Sequence, residues 1–177
     1  QVLTFTVTPQ LGDKKPENIT LTWVNDPKTS QHFTWRTGTA YKDSVVEVVA
    51  QANPNGFMSE SVIRVNGANE FYADDKVEMT IHQADVTGLT LGTVYQYRVG
   101  DGTSEGWSEV GTFTTASNNE EAFNFLFFTD TQSQDAAGFA IWTKLYKLGV
   151  EKFPNTKFAL HSGDIVEDGS VMSQWEL

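Results

Sequence analysis

The spacing of apolar residues changes once along this chain, and the change limits the folds that it can adopt. Up to about residue 117, apolar and polar residues alternate in short runs bounded by turn residues, which predicts strands with one buried face. From Phe123 to Phe128 the residues are almost continuously apolar, which is typical of a strand buried on both faces of a parallel sheet. The sequence therefore predicts two modules, an all-β sandwich followed by the start of an α/β domain.

The boundaries of the modules follow from the same pattern. The sandwich is placed at residues 1–116, a small and polar linker at 117–122, and a βαβ module at 123–177. About eight strands are expected in the sandwich, as is typical of that architecture. The runs that predict them are Leu3 to Val7, Ile19 to Trp23, Phe33 to Trp35, Ser44 to Ala50, Ser61 to Val65, Val77 to His82, Val94 to Val99 and Val110 to Thr114.

Composition and charge exclude several classes of partner. Apolar residues make up 39% of the chain, enough to fill packed cores, so a folded protein is expected. A formal net charge of -11 argues against nucleic acid and anionic membranes as partners, because neither would attract it. The absence of cysteine excludes disulfides and thiolate metal sites. No apolar run approaches the ~20 residues that span a bilayer, so no membrane insertion is expected.

Acidic residues follow both predicted strands of the second module. Asp130 comes after the strand at 123–128, and Asp164 follows the second strand. A helical pattern separates the strands, so they should be parallel, joined by a right-handed crossover, with both carboxyl ends at one edge of the sheet. If the chain stays extended past its strand, Asp130 and Gln132 point to the same side and Asp164 arrives beside them, so that three oxygen ligands converge. The alternative is that Asp130 caps a helix and Gly163-Asp164 is a turn.

The segment between these strands has the spacing of an amphipathic helix. Ser133 and Asp135 are candidate N-caps, and Pro154 follows the predicted end. We interpret the apolar stripe as core and not as part of a cofactor site. The residues of that stripe are Phe139, Trp142, Leu145, Tyr146 and Gly149.

Within the first module, the stretch VTGLTLGTVYQYRVGDG (residues 86–102) resembles the L-x-P-G-T-x-Y-x-Y-x-V signature of fibronectin type III sandwiches, with Leu91 in place of the proline. The resemblance implies that Tyr95 forms a tyrosine corner, with its ring buried and its hydroxyl bonded to the chain upstream. Trp35 likewise resembles the buried tryptophan of an early strand. We interpret His32 and His82 as ordinary residues of the sandwich.

A narrower resemblance covers most of residues 16–115. The run LTWVNDPKTSQHFTWRTG, the later Leu-Gly-Thr-x-Tyr segment and the closing GTFTT resemble the N-terminal domain of the purple acid phosphatase family. In that family the domain precedes a catalytic metallophosphoesterase domain and contributes little chemistry of its own. The resemblance implies that the βαβ module begins such a catalytic domain.

The acidic residues of the second module are similar to the first two metallophosphoesterase motifs, D-x-H and G-D-x-x. The resemblance implies that Asp130 is the terminal ligand of one metal ion and that Asp164 bridges two ions of Fe, Zn or Mn, with a phosphate ester as substrate. Gln132 stands where many members have histidine, and its neutral amide oxygen is a harder ligand, so metal identity is open. Glu167 stands where purple members have the tyrosinate that gives their colour, so we expect that even the full-length protein is not purple.

The family completes its site with G-N-H-[ED], a further histidine and G-H-x-H. The chain has three histidines, and neither Asn-His nor Gly-His occurs in it. We therefore expect the N-terminal part of a longer enzyme, without catalytic residues of its own, that as this fragment is inactive and binds metal weakly or not at all. Two strands and one helix leave open edges and one uncovered sheet face. We expect compensation by packing on the sandwich, by self-association with a symmetric partner, or by a separate C-terminal piece. For His161, a packing role is favoured over ligation.

Two functions remain open from the sequence. The leading one is a metallophosphoesterase that hydrolyses phosphate mono- or diesters when complete and is secreted, on the cell surface or periplasmic. The alternative is a fibronectin-like binding or adhesion module without catalytic activity. The start at Gln1 fits either a mature end left by cleavage or a trimmed sequence, and the sequence does not separate the two.

Overall fold

The computed structural model describes residues 13–73, 77–119 and 122–175. The chain divides into two compact units, Gln1–Asn118 and Asn119–Leu177, and the division falls within the predicted linker. The strand predicted at Leu3 to Val7 lies outside the described residues. Within the described ranges, no helix has the length and apolar character needed to cross a membrane.

The N-terminal unit is a sandwich of two four-stranded antiparallel sheets, as predicted from the alternating runs. One sheet has the order β1-β2-β6-β5 and the other has the order β4-β3-β7-β8. The strands are β1 (Glu17–Thr22), β2 (Ser30–Thr37), β3 (Val45–Ala50), β4 (Ile63–Asn66), β5 (Ala68–Ala73), β6 (Glu78–Thr87), β7 (Val94–Gly100) and β8 (Gly111–Thr114). A single 3-10 turn, Gly56–Met58, follows β3.

The core lies between the two sheets and is filled by the inward residues of both. Phe33 and Val86 come from the first sheet, and Val46, Val48 and Val99 from the second, all of them buried. Phe113 of β8 closes this core, with its ring 5.8 Å from that of Phe33 in an edge-on arrangement. Burial of this apolar surface is the main source of the sandwich's stability.

A buried histidine sits in the middle of this core. His82 is 0% exposed, and its ring stacks on Trp35, 5.1 Å away at an interplanar angle of 7°. The two ring nitrogens are hydrogen-bonded to hydroxyls, Nε2 to Thr37 Oγ1 and Nδ1 to Ser44 Oγ, each at 2.7 Å. Burial disfavours the charged ring and lowers the pKa of His82 from 6.5 to about 4. Trp35, predicted as a core residue, is 1% exposed.

The outer face of the second sheet carries a charged ladder across three strands. Glu47 of β3 is 7% exposed and lies opposite Arg64 of β4 and Arg98 of β7. Arg64 donates to Oε1 at 2.7 Å, and Arg98 donates to Oε2 from Nε at 2.8 Å. The Arg98 guanidinium also lies 4.3 Å above the Trp107 ring. The carboxylate is therefore buried but fully paired, as such groups must be.

Tyr95 has the geometry of a tyrosine corner. Its side chain is 5% exposed, and its hydroxyl accepts a hydrogen bond of 2.9 Å from the backbone N–H of Thr90. Gly92, at φ +60°, makes the turn between these two residues in a conformation that suits glycine. The bond ties the connection between β6 and β7 to the core.

The C-terminal unit is built from two parallel strands and a helix. Its elements are β9 (Asn124–Phe128), α1 (Ala136–Lys152), β10 (Thr156–His161) and the short α2 (Met172–Trp175). Asp135 caps α1 by accepting a bond of 2.9 Å from Gly138 N–H. Gly149 lets the helix approach β9, because an added methyl group would lie 3.1 Å from Leu126 Cδ1. Phe128 packs on Trp142 and Tyr146, with ring centroids 6.0 Å apart in both pairs.

Two details of the sequence prediction are wrong. β5 is missing from it, because all six residues of this strand are exposed and it has no apolar alternation. Leu145 is 57% exposed, so it is not part of the stripe that α1 packs on the sheet. The uncovered sheet face expected for two strands and one helix is present within this unit, where Phe123, Phe125 and Phe127 are 56%, 49% and 56% exposed.

The stability of the sandwich should fall as His82 takes up a proton. Because the pKa of His82 is lower in the folded state than the ordinary 6.5, the unfolded chain binds more protons between pH 6.5 and pH 4. The contribution of His82 is complete above pH 6.5 and decreases by about 3 kcal/mol as the pH falls to 4. Urea unfolding at several pH values, followed by Trp fluorescence, would measure it.

The His82→Gln variant should lose this part of the pH dependence, whatever its absolute stability. His32→Gln is the matched control, since His32 lies on β2 of the same sheet and pairs with Asp85 at 2.8 Å. An identical slope of free energy against pH in the native chain and in His82→Gln would contradict the prediction.

The Tyr95→Phe substitution removes the hydroxyl that holds Thr90. We expect a loss of about 1 kcal/mol in the free energy of unfolding, the net value of one such bond. Tyr97→Phe removes a hydroxyl two residues further along β7 without touching the Tyr95–Thr90 bond, and it should have a smaller effect. Equal losses in the two variants would show that the corner bond contributes nothing specific.

Candidate metal centre at the ends of the parallel strands

The hydrogen-bond ladder between β9 and β10 continues beyond both strands. Within the strands His161 pairs with Phe128, and Ser162 N–H then donates to Phe128 O at 3.1 Å. Asp130 N–H donates to Gly163 O at 3.3 Å. The loops that follow the strands are therefore held against each other through their backbones.

The carbonyl of Asp164 is the centre of this contact. It accepts hydrogen bonds of 3.0 Å from both Thr131 N–H and Gln132 N–H. The main chains of the three residues predicted as metal ligands, Asp130, Gln132 and Asp164, thus meet at the carboxyl ends of the strands. Open parallel sheets carry their ligands at this edge.

Both aspartates adopt the left-handed backbone conformation. Asp130 has φ +52° and Asp164 has φ +54°, and among the described non-glycine residues only Asn18 shares this feature. The conformation costs roughly 1 kcal/mol or more for a residue with a Cβ, although aspartate tolerates it better than most. Such strain tends to persist where the surrounding structure imposes it, and functional sites are frequent examples.

This backbone corrects one step of the sequence argument. The chain does not stay extended after β9, because Asp130 turns it. In an extended strand, side chains two residues apart point to the same side, and the sequence prediction for Asp130 and Gln132 used that rule. The rule does not apply to the turned chain. The proximity of the loops comes from their backbone hydrogen bonds instead.

The side chains of the site differ in their surroundings. Asp130 and Asp164 are exposed, and Thr129 Oγ1 donates to Asp130 Oδ2 at 2.6 Å. Gln132 Oε1 is buried and has no hydrogen-bond partner. A buried amide oxygen without a donor requires an explanation, and a bound cation would supply one. Carboxylate and amide oxygens are donors that suit hard or borderline metal ions.

Across residues 13–73, 77–119 and 122–175, no group of three or more His, Cys, Asp or Glu side chains is placed to hold a metal ion. Glu167 is exposed in the loop after Asp164. In that same loop Asp168 Oδ1 accepts from Ser170 N–H at 2.9 Å, which shapes the turn before α2.

Sequence reasoning missed a hydrogen-bond network that links the two loops. His161 Nε2 lies 2.8 Å from Thr131 Oγ1, and Gly163 N–H donates to His161 Nδ1 at 3.2 Å. No local pattern in the sequence reports these bonds, because Thr131 and His161 are 30 residues apart. Only the parallel pairing of the strands brings them together.

Comparison with known proteins points to one family. Residues 16–115 match the family model described as "Purple acid Phosphatase, N-terminal domain", in agreement with the resemblance found in the sequence. No curated protein matches the chain.

Several solved structures are similar to this chain at low identity. A computer-based redesign of a β-sandwich protein has 20% identity and a TM-score of 0.39, and the match covers 59% of this chain and 97% of that one. The fibronectin III domain of human collagen XX has 14% identity and a TM-score of 0.38, covering 64% and 100%. A structure of astrotactin-2, a vertebrate membrane protein, has 15% identity and a TM-score of 0.39, covering 80% and 25%. The fold itself rests on the strand pairing of this chain.

Proposed function

This chain belongs to the family of purple acid phosphatase N-terminal domains, and on that premise we propose that it is the N-terminal part of a dinuclear-metal phosphoesterase. The parent enzyme would hydrolyse phosphate mono- or diesters. One observation carries the proposal: Asp130 and Asp164 follow two parallel strands, on loops joined by backbone hydrogen bonds, directly after the family's N-terminal domain. The βαβ unit is, in this proposal, the first part of the catalytic metallophosphoesterase domain.

Each residue of the site would have a separate role in metal binding. Asp130 would hold one metal ion and Asp164 would serve both ions, with the Gln132 amide oxygen as a neutral third ligand. When bound, the ions supply Lewis acidity toward the phosphoryl group and lower the pKa of water so that it can attack at neutral pH. The Thr129 hydroxyl donates to Asp130 Oδ2 and so orients that carboxylate.

The charge of the chain is consistent with a site that depends on cations. The formal net charge is -11, and both aspartates are exposed, so this edge alone repels a phosphate ester. The carboxylates must be neutralised before an anionic substrate can approach them. Phosphate binding by this edge should therefore require metal.

The competing function is a binding or adhesion module. It would use the sandwich surface and would require neither metal nor phosphate. Location outside the cytoplasm, whether secreted, periplasmic or on the cell surface, belongs to the phosphoesterase proposal and rests on the family relationship. Metal binding at the C-terminal unit separates the two functions.

Calorimetric titration of the 177-residue chain with Mn²⁺ should detect weak binding that depends on the two aspartates. Asp130→Ala and Asp164→Ala should each weaken it by roughly tenfold or more, because each removes a ligand and a negative charge. Inorganic phosphate should bind only when Mn²⁺ is present.

The control for this titration is Glu151→Ala. Glu151 is exposed near the end of α1, so the substitution removes a charge from the same unit without touching the loops. Equal Mn²⁺ affinity in all three variants, or none in the native chain, would favour the binding module.

An iron-loaded sample of the chain should show no visible charge-transfer band, because Glu167 occupies the place of the colour-giving tyrosinate. The Glu167→Tyr variant, loaded with Fe³⁺ in the same way, should acquire the band. Absorption spectra of the two samples would show whether the band depends on a tyrosine at position 167. Glu167→Phe is the control, since phenylalanine fills the same space as tyrosine without an oxygen ligand. A band in the unsubstituted chain would contradict the proposed correspondence of this position.

A further inference from the structure

We propose that His161 is a positioning residue that holds the loops of Asp130 and Asp164 together, and that it is not a metal ligand. The inference rests on the proposed function for the purpose of those loops. His161 is the last residue of β10, and its side chain is half-buried.

The hydrogen bonds define the tautomer of the ring. Gly163 N–H can only donate, so His161 Nδ1, 3.2 Å away, must carry a lone pair. In the neutral ring the proton is then on Nε2, which donates to Thr131 Oγ1 at 2.8 Å. Each nitrogen is therefore engaged with a different loop.

These two bonds complete a closed network with the backbone. Thr131, which receives the Nε2–H bond, donates its own N–H to Asp164 O at 3.0 Å. Gly163, which donates to Nδ1, accepts at its carbonyl from Asp130 N–H at 3.3 Å. The imidazole thus links Thr131, which follows Asp130, to Gly163, which precedes Asp164.

Neither ligation nor simple packing accounts for this arrangement. A ligating nitrogen must present its lone pair to the metal, but the Nδ1 lone pair is taken by Gly163 and Nε2 carries the proton. A packing residue would be buried among apolar groups, whereas His161 is only half-buried and bonds to polar groups on both sides. The geometry fits a group that orders the ligand loops before metal arrives.

Such pre-ordering has a measurable consequence for metal affinity. Both aspartates are in a left-handed conformation that the chain does not adopt without support. Loss of the imidazole would let the loops relax, so metal binding would have to order them again. Residues that orient ligands in this way typically contribute 10- to 100-fold to metal affinity, so we expect a loss of roughly that size.

The test uses four variants of the full chain. His161→Ala removes both bonds. His161→Asn keeps an acceptor for Gly163 N–H, since its Oδ1 takes the place of Nδ1, and His161→Gln keeps a donor for Thr131. Thr131→Val removes only the hydroxyl partner. His32→Gln controls for adventitious histidine binding on the sandwich.

The first readout is made without metal. Long-range ¹H–¹⁵N spectra should show His161 as the Nε2–H tautomer. In His161→Ala, amide exchange at Asp130, Thr131, Gln132 and Gly163 should accelerate by roughly 10-fold, as expected for the loss of one or two hydrogen bonds. His161→Asn should restore Gly163 alone, and Thr131→Val should leave Gly163 protected. Unchanged exchange at Val46 and Val99 would show that the sandwich is intact.

The second readout is the affinity for Zn²⁺ by calorimetry. His161→Ala should bind roughly 10- to 100-fold more weakly, with intermediate values for His161→Asn and His161→Gln, and Zn²⁺ should not move the His161 ring nitrogens to ligated shifts. Ligated shifts, or affinity and exchange within twofold of native in His161→Ala, would overturn the inference. If the native chain binds no Zn²⁺, the proposed metal function fails, and exchange and the tautomer alone decide the role of His161.

Discussion

Parallel pairing of two short strands determines where the residues of the C-terminal unit can act. β9 and β10 are in register at their carboxyl ends, and their ladder runs on through Ser162, Asp130 and Gln132 into the loops. The candidate site therefore depends on backbone hydrogen bonds more than on a packed core, which in this unit is small: of its apolar side chains only Phe139 is buried among the described residues. Side chains such as His161 then refine a geometry that the main chain has already produced.

The N-terminal unit is organised in the opposite way. Its two sheets enclose a continuous apolar core, against which the buried His82 is paired with two hydroxyls. On the outer face of the second sheet, Glu47 is paired with two guanidinium groups. The buried Trp35 Nε1 is the exception among the described side chains of this unit, since it has no hydrogen-bond partner. Pairing is what makes such burial tolerable, because an unpaired polar group in the same place would cost several times the value of its bond. This unit is therefore stabilised by its own core.

The sequence predicted the elements whose apolar residues recur with a regular period on one buried face. It did not predict the features that depend on contacts between residues far apart in the chain. Alternation identified the sandwich because one face of each strand must be buried, and a strand such as β5, exposed throughout, gives no such signal. The apolar run at Phe123–Phe128 predicted burial on both sides, although only the helix side is covered within this unit. The placement of Asp130 and Asp164 at one edge followed from the parallel topology. The left-handed backbone of Asp130 did not, because a Thr-Asp-Thr segment without glycine reads as extended chain, whereas a turn at Gly163-Asp164 was one of the open alternatives. The bonds of His161 gave no signal either, because Thr131 and His161 lie 30 positions apart.

The left-handed backbone conformation of Asp130 and Asp164 lowers the stability of the fold but keeps a carboxylate at each position. Glycine is the residue that this backbone prefers, and it would relieve roughly 1 kcal/mol of strain at either position. It would also delete a carboxylate. A chain selected only to stay folded would drift toward glycine at both places, whereas a chain selected to hold cations keeps the costlier residue. Two aspartates in this conformation at the end of a small sheet are thus a cost in stability that the proposed metal site would explain.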